Sequence, residues 1–484
     1  VKLRLSRIAS AAILLSLTQC AFVATPVVVH PDKPIRRIDS KFFGANVINT
    51  VDDDAALKDG KIAAALKKLP AGLLRFPGGA EADNYHWESN TLDDPYSYPR
   101  RGGPDTTDFD EFMALTRQVG AEAVVIVNTE SWVWRRNIDG GVKEAADWVR
   151  HCKAKGYPVR YWEIGNETYL HAAMTAREYA ELVNRYATAM KAVDPTIQIG
   201  ANGSWNSRGV GRKEQLSAEE LAELDKLQSS GQPIRKIREV AKKLERPMKN
   251  KNKPSADAEK WWPTLARICG GQIDFLIVHA YFYRESMIPE LPAQLKAIQA
   301  EFKNHHPDKT YPVLMSEYNV ARTVEASKQP LQLFDIQGAM LVGGVDWSCF
   351  WPLDFVNTDW WTSLTLLDSK TKQPQVAYEI MSFLAQRLVG GTLVKTDPND
   401  FGAYAVRKDN QISVFLSGRT LKQPTTIEVR LQDADVHTAT VLDCSIADSG
   451  KLKTQQAPQT LHGNAIHVDL RPGQFVVINC QLSP

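Results

Sequence analysis

The sequence predicts an α/β chain, a (β/α)8 barrel followed by a C-terminal antiparallel β-sandwich. Three observations carry that expectation. Between Phe42 and Trp351, eight short β-rich apolar runs alternate with longer stretches of helical periodicity. Several of those runs end in polar residues, two of them in a glutamate, where a barrel of eight parallel strands gathers its functional groups. After Asp368 the rhythm changes to short, closely spaced alternating strands.

Taken in order, the chain opens with Lys2, Arg4 and Arg7 ahead of an apolar run from Ile8 to Leu17, the arrangement of a secretory signal over residues 1–25. An exported protein, periplasmic or secreted, is the expectation. The run is too short to span a bilayer, and no later stretch is long enough either. Cys20 offers a lipid-anchor site, but the bulky Gln19 before it suits that processing poorly, so a cut between Ala21 and Thr25 is the simpler reading. Residues 26–38 form a strand expected to join the β-sandwich.

The barrel is expected over residues 39–365. Its strands are read at Phe43–Ile48, Gly72–Phe76, Ala123–Val127, Val159–Ile164, Ile197–Ala201, Ile273–Ala280, Pro312–Ser316 and Val345–Phe350. Between them, Thr107–Gly120 places Phe109, Phe112, Met113, Leu115 and Val119 at helical spacing, with Asp108 to cap its start and Gly120 to stop it. Gly141–Lys155 and Thr175–Val193 repeat that logic, ending at Gly156 and Asp194-Pro195. The segment 207–260 breaks the rhythm: it is rich in Lys, Arg and Glu, and reads either as an ordered lid over the barrel mouth or as a solvated excursion. Two short helices, Leu216–Leu227 and Ile234–Leu244, are expected in it. Residues 366–484 hold a helix at Gln375–Leu388 and then the sandwich, with strands such as Ala403–Arg407, Ile412–Leu416, Thr425–Leu431, Thr438–Leu442 and Gln474–Asn479.

Composition excludes several classes of function. With 58 Lys and Arg against 56 Asp and Glu, the net charge of +2 produces no field that would gather nucleic acid or an anionic membrane. Of six cysteines, five remain beyond Cys20, none in a CxxC pair, so no metal site is expected. Export permits a disulfide, and Cys444 with Cys480 is the candidate pair because both lie in the all-β region. A nucleotide-binding turn is excluded because Pro77-Gly78-Gly79 is too short and is followed by Glu81 and Asp83. No cofactor is expected, and the sequence assigns no oligomeric state.

The strand ends converge on one chemistry. Strand two runs into Arg75-Phe76-Pro77-Gly78-Gly79, strand four into Trp162-Glu163-Ile164-Gly165-Asn166-Glu167, and strand seven into Ser316-Glu317-Tyr318-Asn319. Singly, Glu167 reads as a favourable helix start and Glu317 as half of an ion pair. Together, on opposed strands of one barrel mouth, they form the carboxyl pair that glycoside hydrolysis needs. Trp132, Trp134, Trp351, Trp360 and Trp361 are candidates for aromatic surface on which a sugar can stack, with packing on the barrel rim the other reading. Asn46 and Asn128, ending strands one and three, are candidates for sugar hydrogen bonds.

RFPGG at Arg75–Gly79 and WEIGNE at Trp162–Glu167 resemble clan A glycoside hydrolases, most closely the family 51 α-L-arabinofuranosidases. His279-Ala280-Tyr281, Ser316 to Asn319 and Trp351 extend the resemblance through strands six to eight. The resemblance implies Glu167 as general acid/base and Glu317 as nucleophile in a double displacement that retains anomeric configuration. It further implies that Arg75 and Tyr281 support Glu317, that Asn166 bonds the hydroxyl beside the reacting carbon, and that His279 and Trp351 belong to the site. Glu167 is then expected to have a raised pKa, through burial and its carboxylate neighbour. The substrate implied is a plant-type arabinofuranoside. An endo-β-glycanase or β-xylosidase of the same clan is the alternative, and a non-catalytic saccharide-binding protein is the alternative of another class.

Overall fold

A computed structural model describes residues 26–52, 54–93, 105–245, 258–321, 323–355, 364–447, 451–459 and 465–483. The proposed export segment with Cys20 lies outside these residues, as do Trp360, Trp361 and positions 246–257 of the charged segment. No helix among the described residues is long and apolar enough to cross a membrane.

Eight parallel strands close into a barrel whose order follows the chain: Gly44–Asn46, Leu73–Phe76, Glu122–Val127, Tyr161–Ile164, Gln198–Ser204, Phe275–Phe282, Val313–Val320 and Val345–Phe350, hereafter barrel strands one to eight. Because successive side chains face opposite sides of a strand, each sequence sorts into two sets. Leu74, Phe76, Trp162 and Ile164 join the large core shared with the surrounding helices. Leu73, Val124, Tyr161, Phe275, Ile277, Leu314 and Cys349 instead form a separate cluster that fills the barrel, with Trp347 packed against it. Two residues beyond Leu73, Tyr161 and Ile277, and so on the same face, come Arg75, Glu163 and His279. The apolar plug is therefore the floor beneath a polar layer.

Strand seven departs from its expected form in an informative way. It runs on past Ser316 to Val320, and its pairing with strand six slips between Met315 and Glu317. An extra residue at this point resets the alternation. Leu314 lies in the barrel plug, and both Ser316 and Glu317 contact strand-six side chains of the barrel interior, while Tyr318 joins the outer core. Simple alternation from Leu314 would have sent Glu317 outward.

The helices between strands are stopped and started by local chemistry. Phe109–Val119 begins with a reciprocal bond pair between Asp108 and Glu111 and ends at Gly120 in the left-handed region. Ala176–Val193 is capped in the same way by Thr175 and Glu178. Each such cap is worth about 1 kcal/mol. The charged segment holds two ordered helices, Ala218–Ser229 and Ile234–Glu245. They bury Leu224, Ile237 and Ala241 in the main core, so this part of the segment is packed structure and not a solvated excursion.

Apart from a two-stranded hairpin of Tyr85–His86 and Thr91–Leu92, the remaining strands form one nine-stranded sheet. Its order is Leu452–Gln459, Val436–Ile446, Phe475–Leu482, Gln411–Ser417, Tyr404–Lys408, Thr392–Thr396, Val27–Arg37, Thr425–Leu431, Ala465–Leu470. Residues from both ends of this order share one apolar core, among them Val27, Ile412, Ile427, Val441 and Ile466, so the sheet folds over on itself. Seven of its pairings are antiparallel; Val27–Arg37 lies parallel to Thr425–Leu431, because a strand entering from the barrel's start need not obey the hairpin logic of its neighbours. Phe334 joins the two parts, stacking on Phe475 at 4.4 Å between ring centres, and Arg419 bridges to Asp335 and Glu285. The proposed bridge between Cys444 and Cys480 does not form: all five described cysteines are free thiols. The register explains it, since Cys444 faces Phe475 while Cys480 faces Ala439, five positions along the strand pair, or about 17 Å.

Candidate active site

Arg75 organises the polar layer. Its guanidinium is fully buried and donates to Glu163 through Nε (2.7 Å) and Nη2 (3.1 Å), to Asn166 Oδ1 through Nη2 (2.8 Å), and to Asn46 Oδ1 and Glu317 Oε1 through Nη1 (2.8 Å each). A planar, permanently charged fork can hold two carboxylates at fixed angles where an ammonium could not. Burial opposes its charge, but Glu163 and Glu317 more than offset that and push its pKa above the ordinary value. Glu163 is held low: burial raises it, and the charge of Arg75 with the hydrogen bond from His279 lowers it further than that.

Glu317 receives Arg75 on Oε1 and the Tyr281 hydroxyl on Oε2, at 2.6 Å. Both carboxylate oxygens are thus directed by strands two and six. Glu167 follows Gly165 and Asn166, where the chain leaves strand four with Gly165 at φ +67° and Glu167 itself at φ +42°. A non-glycine residue in the left-handed region costs about 1 kcal/mol or more and collects at functional sites. His279 joins the two acids. Its Nδ1 lies 3.0 Å from Glu167 Oε1 and 3.6 Å from Glu317 Oε2, and its Nε2 meets Ser316 Oγ at 2.8 Å. One oxygen of each glutamate and the imidazole all fall within 4.8 Å of one another.

Electrostatics correct one expectation. Burial lowers the His279 pKa, but the charge of Glu317 and the hydrogen bonds of Glu163 and Glu167 lift it to about 10, so the imidazole is a cation. Burial raises Glu167, yet the hydrogen bond and charge of His279, then His171 and Arg75, leave its pKa below the ordinary value. The expected rise came from weighing the neighbouring carboxylate without the histidine between them.

The turn after strand two brings backbone against the reacting groups. Gly78 has φ +121°, a conformation closed to side chains. A Cβ on Gly79 would stand 2.6 Å from Glu317 Oε1 and 3.2 Å from the Trp351 ring. Gly79→Ala is therefore expected to displace the Glu317 carboxylate and lower kcat about 100-fold while the thermal midpoint stays near that of the parent. Parent-like kcat would show that this turn does not set the carboxylate's position.

The structure brings Arg75, Asn166, Glu167, His279, Tyr281 and Glu317 into one group of hydrogen bonds and ionic contacts, with Trp351 at its edge in a small apolar cluster of Ile48 and Val51, against which Tyr281 and Phe355 pack. Asn46 and Asn128 belong instead to the framework. Asn46 accepts from Arg75 and donates to the carbonyls of Ser316, Cys349 and Phe350, closing the barrel seam. Asn128 bonds Tyr85 O and the Ser131 amide. Trp132 and Trp134 pack as rim residues, their indole nitrogens donating to Glu144 and Glu130.

Sequence reasoning passed over three features. Glu163 was visible only through the inward phase of strand four. A buried cluster joins Asp83, Glu130 and His171 from the turns after strands two, three and four, with Arg238 from the helix Ile234–Glu245 placing Nε 3.2 Å from Glu130 Oε1. Its oxygen and nitrogen atoms are close enough to share a cation, but the Arg238 guanidinium already supplies the positive charge there. The third feature is Lys372, which clamps Asp52 and Asp354 from the loops after strands one and eight.

Residues 65–231 match the family described as "Alpha-L-arabinofuranosidase 1 domain". Alpha-L-arabinofuranosidase C of Emericella nidulans is 26% identical over 216 residues, 36% of this chain and 41% of the relative. An intracellular exo-alpha-(1->5)-L-arabinofuranosidase of Acetivibrio thermocellus is 26% identical over 209 residues, with 36% and 41% covered. The chain thus spans about two fifths of the length of these curated relatives. Among solved structures, the alpha-L-arabinofuranosidase of Thermotoga maritima in complex with arabinose superimposes with a TM-score of 0.67 at 16% identity, over 94% of this chain and 100% of that one. The protein shares the fold of that arabinofuranosidase structure and is similar in sequence to α-L-arabinofuranosidases.

Proposed function

We propose that, on the strength of this kinship, the chain is a retaining α-L-arabinofuranosidase in which Glu317 is the nucleophile and Glu167 the general acid/base. The observation that carries the reading is the short gap between the two carboxyl groups, bridged by one imidazole nitrogen. A spacing of about 5 Å lets the second carboxylate reach the anomeric carbon, whereas about 6.5 Å or more leaves room for a water and inversion.

Arg75 and Tyr281 hold Glu317 in place and aimed, and Asn166, itself oriented by Arg75, keeps its Nδ2 for the hydroxyl beside the reacting carbon. The proton for the leaving oxygen resides on the His279–Glu167 pair, whose bond is its path to the glycosidic oxygen. Attack converts Glu317 to an ester and removes its negative charge. That charge is the strongest influence raising the His279 pKa, so the imidazole becomes more acidic once the ester forms. Glu167 passes the imidazolium proton on to the leaving oxygen as that bond breaks, is left a carboxylate beside a neutral imidazole, and in the second step takes a proton from the attacking water.

Hydrolysis of aryl α-L-arabinofuranoside, followed by NMR from the first turnovers, is expected to yield α-arabinose before mutarotation. Initial release of the β anomer would exclude the double displacement. The same measurement on a panel of aryl xylosides and glucosides, with product sizing on arabinan and arabinoxylan, separates the arabinofuranosidase from an endo-acting relative.

A further inference from the structure

We propose that Glu81 is a specificity-determining residue of this site, its carboxyl taking hydrogen bonds from hydroxyl groups of the sugar ring that Glu317 attacks. The inference rests on reading the site as a glycosidase's.

Glu81 lies two residues beyond Gly79, on the turn that leaves strand two, and is almost wholly buried. Its Oε2 packs over Gly78, where a Cβ would stand 3.0 Å from that oxygen and 3.1 Å from Ile48 Cγ2. The next residue, Gly79, is backed in the same way by Glu317 Oε1 and the Trp351 ring. The two glycines of this turn thus lie against two carboxyl groups, and Ile48, Val51 and Trp351 add an apolar wall. This wall has the make-up of a sugar subsite, with apolar surface for a ring face and a few convergent polar groups.

Among the described residues no cation forms an ion pair with the carboxyl at this place. Backbone amides of Gly79 and Glu81 steady it, Arg75 acts on it only weakly, and the Glu317 charge repels it, so that burial carries its pKa up to about 7. Burying a carboxyl beside another without its own cation costs stability. Such a cost persists where the group serves a ligand. A carboxylate offers acceptors on two oxygens, and neighbouring sugar hydroxyls are the donors that match them.

The test uses the full chain, with Glu81→Ala and the isosteric Glu81→Gln, on aryl α-L-arabinofuranoside and on the three analogues that each lack one sugar hydroxyl, at C2, C3 or C5. The parent enzyme should lose about 100-fold in kcat/KM on the analogue missing the hydroxyl that Glu81 holds. Glu81→Ala should show a similar loss on the complete sugar and little further loss on that one analogue, while its losses on the other analogues multiply. Glu81→Gln, acidic no longer and buried as before, should also raise Tm by a few degrees at about pH 8 and leave it unchanged at about pH 4, because a folded pKa above the unfolded one withdraws stability as pH rises through it. Parent-like kcat/KM in both variants, or an equal loss on all four sugars, overturns the proposal. Failure of the glycosidase reading shows separately, as turnover retained by Glu317→Ala. If the enzyme prefers another glycoside, the deoxy series of that sugar gives the same comparison.

Discussion

Replacing Glu317 by Ala is expected to lower kcat by about 10⁴-fold or more on every glycoside the enzyme accepts, since the bond that forms in the first step has no other partner. The fold should survive, because Arg75 keeps its two bonds to Glu163 and those to Asn46 and Asn166. Circular dichroism and the thermal midpoint establish that point. The space left by the side chain lies between Gly79, Tyr281 and the guanidinium, so a small anion such as azide should enter it and restore turnover. The product should then be the glycosyl azide of inverted configuration, because one displacement replaces two. Unrescued loss of activity with loss of the fold would place Glu317 in the framework, and retained activity would remove it from the reaction.

Glu167→Ala should divide substrates by their leaving groups. For oligosaccharides and alkyl glycosides, whose departing oxygen must be protonated, kcat/KM is expected to fall by about 10²–10⁴-fold. For aryl glycosides with acidic phenols the first step should be nearly spared, with turnover limited by hydrolysis of the ester. Azide should then accelerate release and give a product of retained configuration, the opposite of the Glu317 result. The pH profile supplies a second readout. In the parent, activity should decline with rising pH as the His279–Glu167 pair loses its shared proton, and the variant should lack that limb on activated substrates. Equal loss on all leaving groups would assign Glu167 to support of Glu317 instead.

Much of the barrel could be read from the chain because its signals are local. Asp108, Thr175 and Gly120 end helices by bonds to residues three or four positions away, and the eight apolar runs announce themselves by composition. The strand-end residues Arg75, Asn166, Glu167, His279, Tyr281 and Glu317 were legible because barrel geometry converts a position at a strand's end into a place at a common mouth. What escaped depended on partners far away in sequence. The Glu167 pKa turned on a histidine 112 residues later, and the use of Asn46 turned on three carbonyls from strands seven and eight. The cluster of Asp83, Glu130, His171 and Arg238 draws on four separate segments. Glu163 is the instructive omission, because alternation from Tyr161 already turns it inward, and a buried glutamate in a barrel two residues from an arginine's layer needs a cation.

The strand Val27–Arg37 has a history that its final place conceals. It sits inside the nine-stranded sheet, with Val29 facing both Thr396 and Leu431. On the ribosome those neighbours emerge about 370 and 400 residues later, roughly 20–80 s at ordinary elongation rates. Throughout that interval the barrel can assemble, but Val27 and Val29 have nothing to cover them and the strand offers unpaired amides and carbonyls to any passing chain. The strand is thus made early and secured late: until Thr392–Thr396 and Thr425–Leu431 have been made, a nascent chain carries its apolar face and its pairing edges uncovered.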